Sequence, residues 1–177
     1  MDTIAPALAY LQELQRFAIA PGMINSFELE RDRERLLRGL QAQIDRLNAQ
    51  LKAHLQACQD CFEVCDRPSV QIFAAPLSSS FGVDAFCNLT VQPRTILLDV
   101  GRVPLEHWLG LVAHEYAHAQ VGRSGHDRAF AETLTYLCLG LGLPSPLWHP
   151  GTEATLRHYP NSPVMPDPTA FWRQLDP

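Results

Sequence analysis

Residues 109–122 read LGLVAHEYAHAQVG, and the rest of the chain takes its meaning from this run. Small and apolar residues surround His114, Glu115 and His118. On a helix, positions i and i+4 stand one turn apart on the same face, so the two imidazoles can reach one metal. Neutral imidazole is a good ligand for zinc. Glu115 follows the first ligand, and its carboxylate points toward the open side of the metal. There it can take a proton from water and later pass it to a leaving amine. Pro104 suits a first helical turn and Gly122 suits a left-handed end, so a helix is expected over residues 104–122.

A catalytic zinc needs a third protein ligand. After Gly122 the chain turns through Arg123-Ser124-Gly125 to His126, which allows His126 to come back over the first two. His126 is expected to begin a second helix running to about residue 143, with Phe130, Leu134 and Leu137 packing beneath the site. Glu132, further along that helix, is the rival third ligand. Asp127 either orients a ligand or caps the helix. The metzincin pattern would need glycine at 121 and histidine at 124, where this chain has Val121 and Ser124.

Working outward, residues 69–75 (SVQIFAA), 83–91 (VDAFCNLTV) and 95–100 (TILLDV) read as strands, with Gln92-Pro93-Arg94 as a turn. Residues 4–18 form a short amphipathic helix that Pro21-Gly22 breaks. Asn25, with Glu28 three residues on, matches a capping box and is expected to open a long helix reaching about Cys65. Its apolar positions are Leu36, Leu40, Ile44, Leu47, Leu51, Leu55, Cys58 and Phe62, near an eleven-residue repeat that keeps a helix almost straight. That stripe can pack on its own domain or pair with a second chain. Gly39 is the one weak point in it.

Cys58, Cys61 and Cys65 would share a face of this helix. With His54 or Cys87 they can be drawn as a tetrahedral zinc site, or they simply continue the apolar stripe. His107 lies two turns from His114, ~10 Å at the helical rise, too far to share a metal. His149, His158 and Tyr159 lie in a proline-rich tail, where Tyr159 or His158 are candidate oxyanion donors. Trp108 and Trp148 read as packing residues.

The chain has 177 residues, 46% of them hydrophobic, enough for a core without disulfide staples. Its formal net charge of −5 argues against a dedicated nucleic-acid surface. Five cysteines, three of them crowded together, make a poor disulfide framework. The first residues lack the pattern of a signal peptide, and no apolar stretch approaches the ~20 residues that span a bilayer. The expectation is a cytoplasmic protein with reduced thiols and no membrane association.

The run HEYAH, the glycine-containing turn, then Gly125-His126-Asp127 and Phe130, resembles the SprT-like and WLM-type zinc metallopeptidases. The resemblance extends over roughly residues 69–142, including TILLDVGRVPLEHWLGLVAHEYAH as strand, connection and active helix. It implies Zn2+ held by His114, His118 and His126, with Glu115 as base and a protein substrate. It also implies DNA-associated substrates, since several relatives cut proteins bound or crosslinked to DNA.

The expected fold is therefore α+β. Residues 1–66 form a long helical N-terminal segment. Residues 67–143 form a minimal zincin-like metallopeptidase core, with a small mixed β-sheet against the HExxH helix. Residues 144–177 form a proline-rich tail packed on that core. The expected function is zinc-dependent hydrolysis of a protein or peptide by activated water, with self-association through the long helix as a further option. The alternative is a non-catalytic, metal-stabilised scaffold or helical interaction module.

Overall fold

The computed structural model describes residues 4–173; the two ends of the expected N-terminal and tail segments, 1–3 and 174–177, lie outside the described residues. The architecture is α+β, with helices packed on one three-stranded mixed sheet.

Helix α1, Ala5–Gln15, is followed by α2, Arg33–Asp60. Helix α2 starts later than the capping box at Asn25 predicts. Asn25 instead accepts the Phe27 N–H through its side-chain oxygen at 2.8 Å, a local turn that competes with helix formation. Ile24 bridges to Leu77, and Phe27 is fully buried at a positive φ of 59°. Tertiary pairing thus holds residues 24–27 out of the helix. Helix α2 also ends earlier, at Asp60, so Cys65 falls in a 3-10 turn and is exposed. Gly39 makes no break.

The α2 stripe is spent within the chain. Leu36, Leu40, Leu47, Leu51, Leu55 and Cys58 are all buried in the shared core. At one step the register differs from the expectation, since Gln43 is buried and Ile44 only partly so. The stripe thus offers no free apolar face for a second chain or a partner.

Strand β1, Val70–Ala74, runs parallel to β3, Arg94–Leu98, and β2, Ala85–Asn88, runs antiparallel to it. The spatial order β1-β3-β2 puts β3 in the centre. Ile96, Leu97 and Leu98 are all buried, so both faces of that strand are covered. The outer edge of β1 is closed by side chains. Ala74 donates to Asn48 Oδ1 at 2.9 Å, and its carbonyl accepts from Tyr10 Oη at 2.6 Å. The outer edge of β2 borders the cleft described below.

Helix α3, Trp108–Val121, lies against β2, β3 and α2, and packs on α4, Arg128–Leu141. A short α5, Glu153–Leu156, and α6, Pro168–Trp172, complete the chain. Leu156 and Trp172 are buried, which ties the tail to the core. No helix among the described residues is long and apolar enough to cross a membrane.

Leu51→Ala should cost about 2–5 kcal/mol, the usual range for a fully buried leucine. Lys52→Ala, one residue on and exposed, should stay within about 0.5 kcal/mol. Denaturant midpoints at unchanged slope measure both; equal small effects would mean the stripe is not core.

Candidate metal centre

Helix α3 is almost wholly buried around the motif. His114 is 4% exposed, Glu115 6% and His118 7%, between the buried neighbours Ala113, Tyr116, Ala117 and Ala119. Gly122 ends the helix at φ 78°, with its N–H on the His118 carbonyl at 2.8 Å. A left-handed cap of this kind is the conformation glycine adopts without strain. The chain then reverses, and His126 comes back over the helix. His126 stands in the turn and not on α4 as expected, because Asp127 is the N-cap of α4.

The three histidines form one group whose ligating nitrogens all lie within 4.8 Å of one another. Nε2 of His126 is 3.1 Å from Nε2 of His114. Two nitrogens bound tetrahedrally at ~2.05 Å would stand about 3.3 Å apart, so the spacing fits a shared zinc-sized cation. His118 donates from Nδ1 to the Arg123 carbonyl at 3.0 Å. This leaves its Nε2 unprotonated, the form a metal takes, and fixes the ring. Nδ1 of His114 is buried without a hydrogen-bond partner of good geometry, with the Tyr159 backbone nearest to that role. Phe130 forms the floor, its ring centroid 5.0 Å from His114, 4.4 Å from His118 and 4.7 Å from His126.

Electrostatics favour neutral imidazoles here. Burial, then the neighbouring His118 and His126, push His114 well below the usual histidine range. Burial lowers His118 against the opposing pull of the Arg123 carbonyl. Burial, with His118, Arg157 and His158 nearby, lowers His126 to about 4. Glu115 moves the other way. Burial raises it to about 8, and the Cys87 backbone N–H facing it partly opposes the shift. A carboxyl so placed is poised near neutrality to move a proton. A group of unprotonated, desolvated donors beside such a carboxyl can hold a divalent cation and do acid–base work next to it.

Other candidates are dispersed. Glu132 is exposed and paired with Arg128 at 2.7 Å, away from the imidazoles. Cys58 is buried, Cys65 is exposed, and Cys87 sits on β2 near Glu115. Among the described residues the only histidine, cysteine or carboxylate group with metal-holding geometry is the three-histidine one, so the cysteine site with His54 or Cys87 is not assembled. His107 meets Ser162 Oγ through Nδ1 at 2.9 Å, and Trp108 donates to the Val103 carbonyl at 2.8 Å within the core. His149 is exposed, and Trp148 is packed against the core. The Tyr159 hydroxyl donates to the Pro144 carbonyl at 2.9 Å and lies 3.1 Å from Cys138 Sγ. The phenol is therefore engaged away from the histidines and is a poor oxyanion donor.

A cleft of about 820 Å³ opens over the histidines. One side is the 81–87 segment with β2; another is the tail segment 157–162. Sequence reasoning did not identify the Cys87 N–H, the Arg123 carbonyl or Arg157 as parts of this site. The first two are backbone groups, which no residue type announces. No family model matches this chain, and neither a curated protein nor a solved structure matches it.

Asp127 caps α4, accepting from the Phe130 N–H at 3.2 Å, and pairs with Arg123 at 3.2 Å. Neither contact is with an imidazole. Asp127→Ala should cost about 1 kcal/mol of stability. Its zinc affinity, measured by competitive titration, should stay far from the roughly 10–100-fold loss that removal of an outer-shell ligand partner produces. A loss of that size would assign Asp127 to the metal.

Proposed function

We propose that this chain is a zinc-dependent peptidase of the HExxH type, with a minimal zincin-like core akin to the SprT-like and WLM-type enzymes. The observation that carries the reading is the meeting of three neutral imidazoles with a buried carboxyl at the floor of an open cleft. His114, His118 and His126 would hold the metal. When bound, zinc supplies a Lewis acid that polarises the scissile carbonyl and makes water easier to deprotonate.

The chain's own groups do the rest. Glu115 takes the proton from the attacking water and delivers it to the amine that leaves. A cation alongside would draw its pKa back down and favour the charged, basic form. Phe130 and the apolar flanks of α3 exclude bulk water from the histidine rings. Strand β2 can align the substrate. Asp99 donates to the Asp84 carbonyl at 2.8 Å, and the pairs Ala85↔Leu98 and Cys87↔Ile96 alternate with such bonded positions. Ala85 and Cys87 therefore turn their backbone groups outward. An extended peptide can add there as a strand through the Ala85 N–H and the carbonyls of Ala85 and Cys87, the Cys87 N–H being engaged by Glu115. The edge of β1 does not serve this purpose, because Asn48 and Tyr10 close it at Ala74.

The rival reading as a scaffold or interaction module rests on a free helical stripe, and that stripe is buried. Glu115 also counts against it, because a metal-stabilised scaffold has no use for a proton-transfer group beside the histidines.

Elemental analysis of the purified chain should find about one zinc per chain, as three donors plus an open position imply. His126→Ala should lose that zinc, and Glu132→Ala should keep it. Glu115→Gln should keep zinc and lose peptide hydrolysis by on the order of 10²-fold or more, as removal of a general base predicts. Hydrolysis at the unaltered rate in Glu115→Gln would remove the assigned role; zinc that stays with His126→Ala but leaves with Glu132→Ala would exchange the third ligand.

A further inference from the structure

The tail wall of the cleft carries charge that the peptidase chemistry above does not use. It is built firmly. A Cβ on Gly110 would come within 3.0 Å of Pro160, so α3 and the tail touch closely there. His107 and Ser162 are linked at 2.9 Å, and Tyr159 is tied to Pro144 and Cys138. Arg157 directly follows α5 on this wall, exposed, and His158 comes next. Both line the cleft beside His126.

Arg157 has no carboxylate within ion-pair distance among the described residues. Arg31, Arg33, Arg35, Arg46 and Arg94 share that lack, but among the described residues Arg157 is the one arginine or lysine that lines the cleft. The acids that line the cleft stand elsewhere: Glu115 is buried at the floor, and Asp84 precedes β2 within 4.0 Å of Arg102. The tail wall therefore presents an unanswered guanidinium and an imidazole. A guanidinium in that place also repels a divalent cation at the histidines, which a metal site does better without. Its position makes sense if it serves what enters the cleft. The chain as a whole has a net charge of −5, so attraction for an anion has to be local, and a concave wall focuses it.

We propose that Arg157, with His158 beside it, forms a cationic, anion-binding subsite that selects peptides carrying an Asp or Glu side chain close to the scissile bond. This rests on the peptidase reading and adds the substrate class. Guanidinium suits the task because it presents a planar fork of donors to a carboxylate.

The test uses the zinc-loaded full chain and a randomised peptide mixture, with products read by mass spectrometry. Acidic residues should be enriched at one position relative to the cut. Arg157→Glu should abolish or invert that enrichment, lowering kcat/KM for a Glu peptide about tenfold or more, chiefly through KM, while the matched Lys peptide improves. Arg157→Lys should recover part of the preference. Independently, zinc-loaded Glu115→Gln should bind a fluorescein-labelled Glu peptide more tightly than its Gln counterpart, and adding Arg157→Glu should erase the difference.

Cleavage without acidic enrichment overturns the subsite and leaves the peptidase reading standing. An equal fall in kcat for acidic and neutral peptides also overturns it, making Arg157 a stabiliser of the reaction's oxyanion instead. Binding of a labelled single-stranded oligonucleotide that Arg157→Glu abolishes, with peptide selection unchanged, would assign the cation to phosphate and reject the proposal. If zinc-loaded protein neither cuts nor binds any peptide, the peptidase reading fails and the subsite falls with it.

Discussion

Three unprotonated imidazoles crowded within 4.8 Å of one another, in a setting that resists their protonation, are the constraint on which the structure turns. The rings of His114 and His118 are buried, and that of His126 partly so, at a cost that hydrogen bonds or a shared cation offset. His118 has the Arg123 carbonyl, while His114 Nδ1 has no well-formed partner. One proton shared across the 3.1 Å contact can satisfy the Nε2 atoms of His114 and His126, but with His118 donating from Nδ1 its Nε2 is left a bare acceptor beside them. A cation resolves all three at once. The helix carrying two of the rings is apolar on every side, and Phe130 supports the three from below. The left-handed turn at Gly122 is what returns the third.

That arrangement was legible because its geometry is local. The i, i+4 spacing of His114 and His118, and the glycine after the helix, need only the helical pitch and one cap. The turn from Gly122 to His126 is short enough for sequence reasoning to bring the third ring back. What failed near it was finer. His126 was assigned to the start of α4, although Asp127 holds the cap, and a cap position is the least certain feature of any helix end. The strands were found with their ends shifted by a few residues, and the small mixed sheet follows the alternation read from the chain.

The errors in the first 66 residues have a common cause. Asn25 and Glu28 satisfy the capping pattern, yet Ile24 pairs with Leu77 and Phe27 is drawn into the core. Long-range contacts there outweigh a local preference worth about 1 kcal/mol. The stripe along α2 was visible, but its register drifts at Gln43, where the eleven-residue repeat placed Ile44 on the seam. Cysteines at helical spacing suggested a cluster reaching Cys65. The helix ends before it, and only the structure could place that end. Arg157 and the Cys87 N–H were out of reach for a related reason. They approach the histidines through the fold, one from the tail and one from a strand edge, and no spacing in the sequence links them.

The same long-range assembly bears on how the cleft acquires its character. Helix α3 carries two of the histidines and Glu115, and the short turn after Gly122 adds His126, so on the proposed reading the reacting groups come from one local segment. The walls come from elsewhere: β2 supplies outward-turned backbone groups, and the tail supplies side chains. A peptide adding to β2 would be recognised through its backbone and with little regard to sequence. Selectivity in such a site would come from side chains on the remaining wall, where Arg157 lines the cleft with no ion-pair partner among the described residues. The Pro160 contact on Gly110 and the link between His107 and Ser162 hold that wall against α3. The tail is therefore part of the site's construction. Its hold on α3 keeps Arg157 in a set position relative to Glu115, and a fixed spacing of that kind is what the proposed subsite would need for one charge to choose which bond reaches the base.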